Sequence, residues 1–185
     1  MDSEAFSTAL ADARAGDEAA FARLYRLVQP GLLRYLRGMA NDGAEDVAAD
    51  AWVEVVRGLD RFGGDAQGFT SWVFTIARRK AIDRSRYDAR RLTAALPEHD
   101  QDDPREPDVA DVVEQAEATD AALALVRTLP PDQAEAILLR VVGGLEITMV
   151  AELMGRSNGA VRVLTHRGLQ RLGATLAARS ARTQV

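Results

Sequence analysis

The sequence contains no cysteine and only two histidines, His99 and His166. The lack of cysteine excludes disulfides, thiolate zinc sites, iron–sulfur clusters and cysteine nucleophiles, and two histidines leave little for an imidazole-rich metal site. No stretch approaches the roughly 18 to 20 apolar residues that a membrane helix needs. The acidic start Met1-Asp2-Ser3-Glu4 also lacks the basic and apolar segments of a secretory signal. We therefore expect a cytoplasmic protein without membrane insertion, metal, cofactor or catalytic residues.

Strand signals are equally scarce, whereas apolar residues at helical spacing occur through most of the chain. With 185 residues, of which 47 % are hydrophobic, the chain is long enough for one large domain or two small ones. We predict an all-α fold. Helices are expected at 17–27, from Pro30 onward, and at 44–59, 69–91, 120–128, 132–142, 148–154 and 158–178.

Charge is sorted along the chain, although the formal net charge is only −5. Residues 70–91 and 121–185 are basic, and the segments before and between them are acidic. Two basic segments separated by an acidic one are typical of a protein whose two halves bind a polyanion. The middle segment also contains three prolines and has too little apolar surface to fold alone, which predicts a flexible acidic linker. We therefore expect an N-terminal extension 1–16, a helical domain 17–92, a linker 93–119, a second helical domain 120–178 and a tail 179–185.

The second domain has the pattern of a helix-turn-helix. Residues 148–154 make two helical turns, Gly155 can adopt a left-handed cap conformation, and Ser157 or Asn158 can cap a longer basic helix. On that helix the residues expected to face the core are Val161, Leu164, Leu169 and Leu172, and the outward stripe is Arg162, Val163, His166 and Arg167. Arginine can bond guanine edges or phosphates, so Arg162 and Arg167 are the predicted DNA-reading residues. The alternative is that these arginines form an ordinary solvated face.

The first domain contains a helix in which an aromatic turn runs into a basic one. Phe69, Trp72 and Phe74 precede Arg78, Arg79, Lys80 and Arg84. Such a combination suits unpaired nucleic acid, because bases stack on rings while cations hold the backbone. The apolar residues here are also spaced as a core stripe, so for Trp72 we favour core packing and for the basic residues nucleic-acid contact.

An acidic edge marks the preceding helix. Asp42, Asp46, Asp50 and Glu54 are four residues apart, with no lysine or arginine between them on that edge to offset their repulsion. The edge predicts contact with a basic protein surface. A divalent metal is the alternative, but carboxylates on one face of a straight helix converge poorly on a single ion.

In their order along the chain, these segments resemble the sigma-70 superfamily of bacterial RNA polymerase sigma factors, in particular the compact extracytoplasmic-function branch, group IV. The resemblance covers 17–91 and 120–178. It rests on Ala44-Glu45-Asp46-Val47 with Asp50, Asp60-Arg61-Phe62, Phe69-xx-Trp72-Val73-xx-Ile76-Ala77-Arg78 with Asp83, Leu129-Pro130-Pro131, and Gly159-Ala160-Val161-Arg162 with His166-Arg167.

The resemblance implies two helical domains, a sigma region 2 bundle and a sigma region 4 helix-turn-helix, and a role in promoter-specific transcription initiation without catalysis. Three residue sets would carry this role. Asp46, Asp50 and Glu54 would bind the bacterial RNA polymerase core, through the clamp helices of its largest subunit. Arg61, Phe62, Trp72, Arg78, Arg79, Lys80 and Arg84 would capture the melted −10 strand of promoter DNA, with one base flipped out of the stack. Arg156, Asn158, Arg162, Val163, His166 and Arg167 would read the −35 element, and the linker would follow the RNA-exit path.

The sequence departs from the family pattern at several positions. Ala49, Arg79 and Ala134 replace residues common in the family, and Val163-Leu164-Thr165 stands where Ser-Arg-Leu is usual. These departures affect the promoter sequence and the strength of −35 binding rather than the family. An anti-sigma partner is a hypothesis from the family alone.

Two other functions remain open from the residues. A stand-alone helix-turn-helix regulator would bind duplex DNA without polymerase, whereas a sigma factor is expected to bind weakly until polymerase spreads its two halves. An all-α enzyme such as a metal-dependent nuclease would need convergent carboxylates or histidines, which the sequence does not supply.

Overall fold

The computed structural model describes residues 1–39, 43–94 and 110–183, with backbone alone over 91–94, 110–118 and 182–183. In these ranges every regular element is helical, so the predicted all-α fold is confirmed. The helices are α1 (Ser3–Arg14), α2 (Glu18–Met39), α3 (Ala44–Gly58), α4 (Ala66–Ala94), α5 (Ala110–Arg127), α6 (Pro131–Ile137), α7 (Ile147–Met154) and α8 (Asn158–Thr183). A 3-10 turn, Leu59–Arg61, follows α3, and a π-helical turn, Leu138–Val142, follows α6.

Helix α1 occupies the stretch that we expected to be a simple extension. Asp2 caps it by accepting a hydrogen bond from the Ala5 amide at 2.8 Å. Phe6, Ala9 and Leu10 lie on one face at helical spacing and are buried against the rest of the first half. The N-terminal residues therefore belong to the folded unit.

Helix α2 passes through Pro30 without interruption, and our prediction of a new helix there is wrong. Proline removes one backbone hydrogen bond and usually bends or ends a helix. The apolar stripe of Leu24, Val28, Leu32 and Leu36 is continuous across this point, and all four side chains are buried. Packing along this stripe outweighs the lost hydrogen bond and keeps the helix in one piece.

Helix α5 begins ten residues earlier than expected. Its backbone is helical from Ala110, so residues 110–119 of the predicted linker form helix, and residues 95–109 lie outside the described residues. From Leu123 onward α5 contributes buried side chains, including Val126 and Leu129 just beyond its end, to the packing of the second half. The second half therefore starts on a longer helix than its composition suggests.

The helix-turn-helix of the second half forms as predicted. Gly155 ends α7 in the left-handed conformation at φ +62°, and Ser157 caps α8 by accepting from the Ala160 amide at 3.2 Å. One core assignment is wrong, because Leu169 is exposed and its neighbour Gly168 faces the core instead. A Cβ on Gly168 would lie only 2.6 Å from the Cδ1 atom of Ile137, so a larger residue here would require the end of the Ile137 side chain to shift.

The two halves pack against each other through α2, α4, α5, α6 and the π turn, and share one hydrophobic core. Gly38 of α2 touches Leu138 so closely that a Cβ there would lie 2.2 Å from the Cδ2 atom. Phe74 of α4 meets Gly143 at the end of the π turn, where a Cβ would lie 2.8 Å from the Cε1 atom of the Phe74 ring. This is a closed arrangement, in which the second half covers part of the first.

Candidate nucleic-acid interface

The acidic edge of α3 is confined to two carboxylates. Asp46 and Asp50 are exposed, and neither has a hydrogen bond or ion pair with another described residue. Their neighbour Glu45 is different, since Arg37 donates two hydrogen bonds to it and lowers the pKa of that carboxyl. Asp42, the fourth member of the predicted edge, lies outside the described residues. Asp46 and Asp50 are thus the members of this edge that carry an uncompensated charge.

Glu54 lies on the same edge but is bound from α4. Its carboxylate accepts a hydrogen bond from Arg79 and lies 3.4 Å from the Nζ atom of Lys80. The hydrogen bond from Arg79 lowers the pKa of Glu54. The expectation that no cation offsets the edge is therefore wrong at this residue, because the pairing comes from another helix and is invisible in the local spacing.

Two of the predicted −10 residues, Phe62 and Trp72, form an aromatic cluster with Phe69 at the start of α4. Phe62 stacks on Trp72 with ring centroids 5.2 Å apart and an interplanar angle of 21°, and it meets Phe69 edge-on at 5.4 Å. Phe69 is buried, whereas Phe62 and Trp72 are half-buried, so each keeps an accessible part. Arg61 beside them is exposed. Trp72 is therefore both a packing residue and a surface on which a base can stack.

The four basic residues predicted on α4 are all held by acids of the same chain. Arg79 and Lys80 bind Glu54, and Arg84 pairs with Asp88 one turn later at 3.2 Å. Arg78 forms two hydrogen bonds with Glu135 of α6, of 2.6 and 3.3 Å. The four cations are directed to partners on three different helices, and none of them has a free charge in the closed chain.

The Arg78–Glu135 pair lies at the junction of the two halves. Its side chains keep only 26 % and 15 % of their accessible surface. The hydrogen bonds to Glu135 raise the pKa of Arg78 above its usual value. Tyr35 lies beside the pair, and its hydroxyl has no hydrogen-bond partner among the described residues. Burial raises the pKa of this hydroxyl.

The predicted −35 residues lie at the start of α8 and divide into two groups. Arg156 in the turn donates to Asp132 at 2.6 Å, which ties it to the first turn of α6, and Asn158 is the first residue of α8. The second group is Arg162, Val163, His166 and Arg167, and all four are exposed on one side of α8. Within the described ranges neither Arg162 nor Arg167 has an ion-pair partner. The outward stripe predicted from the sequence is therefore present.

Helix α7 faces the basic side of α4 across a cavity of about 400 Å³. Arg78, Arg79 and Arg86 line the cavity on the α4 side, and Glu152 and Leu153 line it on the α7 side. The first helix of the helix-turn-helix thus lies opposite the face of α4 that is predicted to hold DNA. Closure limits access to that face.

Metal-binding clusters and membrane-spanning helices are both absent from the described ranges. No group of three or more His, Asp or Glu side chains is arranged to hold a metal ion in this part of the chain. Within the same ranges, no helix is both long enough and apolar enough to span a membrane.

Sequence reasoning missed two residues that organise this surface. Glu135 is 57 residues from Arg78, so nothing in the local pattern links them. Arg14 lies in the supposed extension and donates hydrogen bonds to the backbone oxygens of Leu59 and Phe62. The sequence did contain a signal that residues 1–16 fold with the first half. Asp2 is a capping residue, and it precedes an apolar helical face formed by Phe6, Ala9 and Leu10.

Comparison with known proteins now decides the family. The Sigma-70 region 2 family model matches residues 24–91, and the Sigma-70, region 4 model matches residues 119–172. The ECF RNA polymerase sigma factor ShbA of Streptomyces griseus is 36 % identical over 169 residues, which cover 86 % of this chain and 88 % of ShbA. The chain belongs to the ECF RNA polymerase sigma factors.

Other relatives of this sigma factor agree. SigD of Mycobacterium tuberculosis, an ECF RNA polymerase sigma factor, is 30 % identical over 181 residues, which cover 93 % of this chain and 84 % of SigD. BldN of Streptomyces coelicolor is 30 % identical over 166 residues, which cover 89 % of this chain but only 63 % of BldN.

Two solved structures share the fold. CnrH, in complex with the cytosolic domain of CnrY, has a TM-score of 0.64 at 23 % identity and covers 94 % of this chain and 98 % of its own. RpoE of Bartonella quintana, in complex with the anti-sigma factor NepR, has a TM-score of 0.64 at 23 % identity and covers 85 % of this chain and 96 % of its own. The predictions of two helical sigma domains and of a sigma factor rather than a stand-alone regulator are confirmed.

Proposed function

We propose that this sigma factor divides promoter recognition among three surfaces, one of which is masked until polymerase binds. Asp46 and Asp50 dock on the RNA polymerase core. The Phe62–Trp72 cluster and the predicted basic residues of α4 capture the −10 strand. The exposed stripe of α8 reads the −35 element. In this division residues 17–92 act as region 2, 93–119 as linker, and 120–178 as region 4. The protein contributes no catalytic residue and works in the cytoplasm with the polymerase.

One observation carries the proposal, namely the difference in pairing between the surfaces. The carboxylates Asp46 and Asp50 and the guanidiniums Arg162 and Arg167 carry charges that no described residue compensates. The α4 cations proposed to hold the −10 strand are instead bound to Glu54, Glu135 and Asp88. Unpaired charges suit contacts that form first, and the internally paired ones suit a contact that forms after the halves separate.

Transcription from unselected DNA tests the proposal and requires no defined promoter sequence. Run-off transcription with bacterial core polymerase, this protein and fragmented genomic DNA, followed by sequencing of the 5′ ends, is expected to give discrete starts preceded by two spaced motifs. Absence of such starts, together with duplex binding by the protein alone, would contradict the proposal and favour a stand-alone regulator.

The docking assignment has its own test. The double variant Asp46→Asn, Asp50→Asn is expected to bind core polymerase more weakly, because it removes two exposed charges from the edge without changing its shape. The matched control is Asp12→Asn, which removes an exposed acid on α1 that faces Arg23 at 3.8 Å. Equal affinity for the double variant and the wild type would refute the docking role.

The proposal extends to a regulatory partner of the anti-sigma class. RpoE, which shares this fold, is seen in complex with an anti-sigma factor. Purification of the tagged sigma factor from its native host is expected to recover a stoichiometric companion that blocks transcription in the run-off assay. A chain recovered alone and fully active in cells would contradict this extension.

A further inference from the structure

We infer that Arg14 is a positioning residue for the −10 loop, and that helix α1 is thereby part of the promoter-opening machinery. This inference rests on the proposed function, since it concerns how the loop 62–65, between the 3-10 turn and α4, is held for strand capture. Helix α1 lies outside residues 24–91 matched by the region 2 family model. The inference therefore assigns a role to a segment that the family match does not include.

The Arg14 guanidinium binds the turn that leads from α3 into the loop. Arg14 is the last residue of α1, and its side chain reaches a turn more than forty positions later in the sequence. Its Nε atom donates to the backbone oxygen of Leu59 at 3.1 Å, and its Nη2 atom donates to the backbone oxygen of Phe62. One guanidinium thus joins both ends of the 3-10 turn that follows α3, and a planar fork of donors is suited to span two acceptors.

The loop itself contains few residues that restrict its conformation. Phe62 is followed by Gly63 and Gly64, and glycine loses the most conformational freedom when a loop becomes ordered. At the far end of this loop, the Asp65 carboxylate accepts from the Gly68 amide at 2.7 Å and fixes the start of α4. Arg14 supplies the matching anchor at the near end, which leaves only the two glycines between the anchors.

The residue held by Arg14 is part of the aromatic cluster. Phe62 is the residue whose ring stacks on Trp72, and its backbone oxygen is one of the two that Arg14 binds. Helix α1 itself is fixed against the same cluster, since Phe6 meets Phe69 with ring centroids 5.8 Å apart. A chain of contacts therefore runs from α1 through Arg14 to the aromatic surface on which a flipped base is proposed to stack.

The experiment compares binding of two single-stranded oligonucleotides by the holoenzyme, one with the −10 sequence recovered by 5′-end mapping and one with that sequence scrambled. We expect Arg14→Ala to reduce the ratio of the two affinities about tenfold, which is equivalent to about 1.4 kcal/mol. Arg14→Lys is expected to restore only part of the ratio, because lysine keeps the charge and three donors but lacks the rigid planar fork of the guanidinium. Affinity for core polymerase is expected to stay unchanged.

The control is Arg23→Ala. Arg23 forms an exposed ion pair at 3.8 Å with Asp12, so this variant weakens the contact between α2 and α1 without touching the loop. An unchanged ratio in Arg14→Ala, or an equal loss in Arg23→Ala, would overturn the inference, the second because packing of α1 alone would explain the effect. If the wild-type holoenzyme itself fails to distinguish the two oligonucleotides, the proposed function fails, and the inference falls with it.

Discussion

Replacement of Glu135 by glutamine is expected to open the closed chain. The substitution keeps the size of the side chain but removes the charge that holds Arg78 across the junction of the two halves. An exposed ion pair contributes at most about 1 kcal/mol, whereas removing one partner of a buried pair costs about 3–5 kcal/mol. The Arg78–Glu135 pair lies between these limits, at 26 % and 15 % exposure, so we expect a loss of about 2 kcal/mol. That loss shifts the equilibrium between closed and open chains about thirtyfold.

The chain is well suited to a direct measurement, because it has no native cysteine to compete with introduced labels. Ala19 on α2 and Gln170 on α8 are both exposed, and cysteines at these positions would accept a pair of fluorophores. Glu135→Gln is expected to lower energy transfer between them and to increase binding of single-stranded −10 DNA by the free protein. Glu152→Gln is the matched control, since this exposed acid of α7 lines the cavity beside Arg78 but does not pair with it. Unchanged energy transfer in Glu135→Gln would refute the reasoning.

Three further predictions concern packing, DNA reading and pH. Gly38→Ala is expected to open the halves in the same fluorescence assay, because its Cβ would lie 2.2 Å from the Cδ2 atom of Leu138 and the Leu138 side chain would have to move away. Arg162→Ala is expected to weaken binding of duplex −35 DNA and, where it contacts phosphate, to lower the salt-dependence slope by about 1; equal effects in the control Arg171→Ala would argue against a specific role. The hydrogen bond from Arg79 of α4 lowers the pKa of Glu54 below its ordinary value of 4.5. The ion pair therefore stabilises the folded state at pH values above 4.5, and this stabilisation is lost as the pH falls through the lower pKa of the folded state. Denaturant titration is therefore expected to show Glu54→Gln less stable than wild type at pH 7 and the difference to disappear in acid.

The helices could be read from the sequence wherever one apolar stripe decides the structure. Val47, Ala51 and Val55 are four residues apart in the sequence of α3, and all three are buried. The turn of the helix-turn-helix was equally predictable, because a left-handed glycine and a capping serine are local requirements. The break expected at Pro30 was wrong because the local preference of proline opposes a buried stripe that continues on both sides.

The interface was less predictable, because pairing depends on packing between helices. The exposed stripe of Arg162 and Arg167 follows from the period of one helix and was found. The partners of Arg78 and Arg79 lie 57 and 25 residues away, so they depend on how the helices meet. Leu169 was assigned to the core by its hydrophobicity, whereas Gly168 is the buried residue and packs closely against Ile137. A pattern of hydrophobic residues does not identify a buried position that is occupied by glycine.

The Tyr35 hydroxyl has a consequence for how readily this sigma factor competes for polymerase. A buried hydroxyl without a partner costs about 1–3 kcal/mol, and Tyr35 lies where the two halves meet. If separation of the halves lets this hydroxyl reach water, the closed chain bears that cost and the open chain does not. Each 1.4 kcal/mol by which closure is weakened lowers the polymerase concentration needed for half-occupancy about tenfold. A single oxygen atom at the junction thus helps to set the amount of free core polymerase at which this sigma factor begins to form holoenzyme.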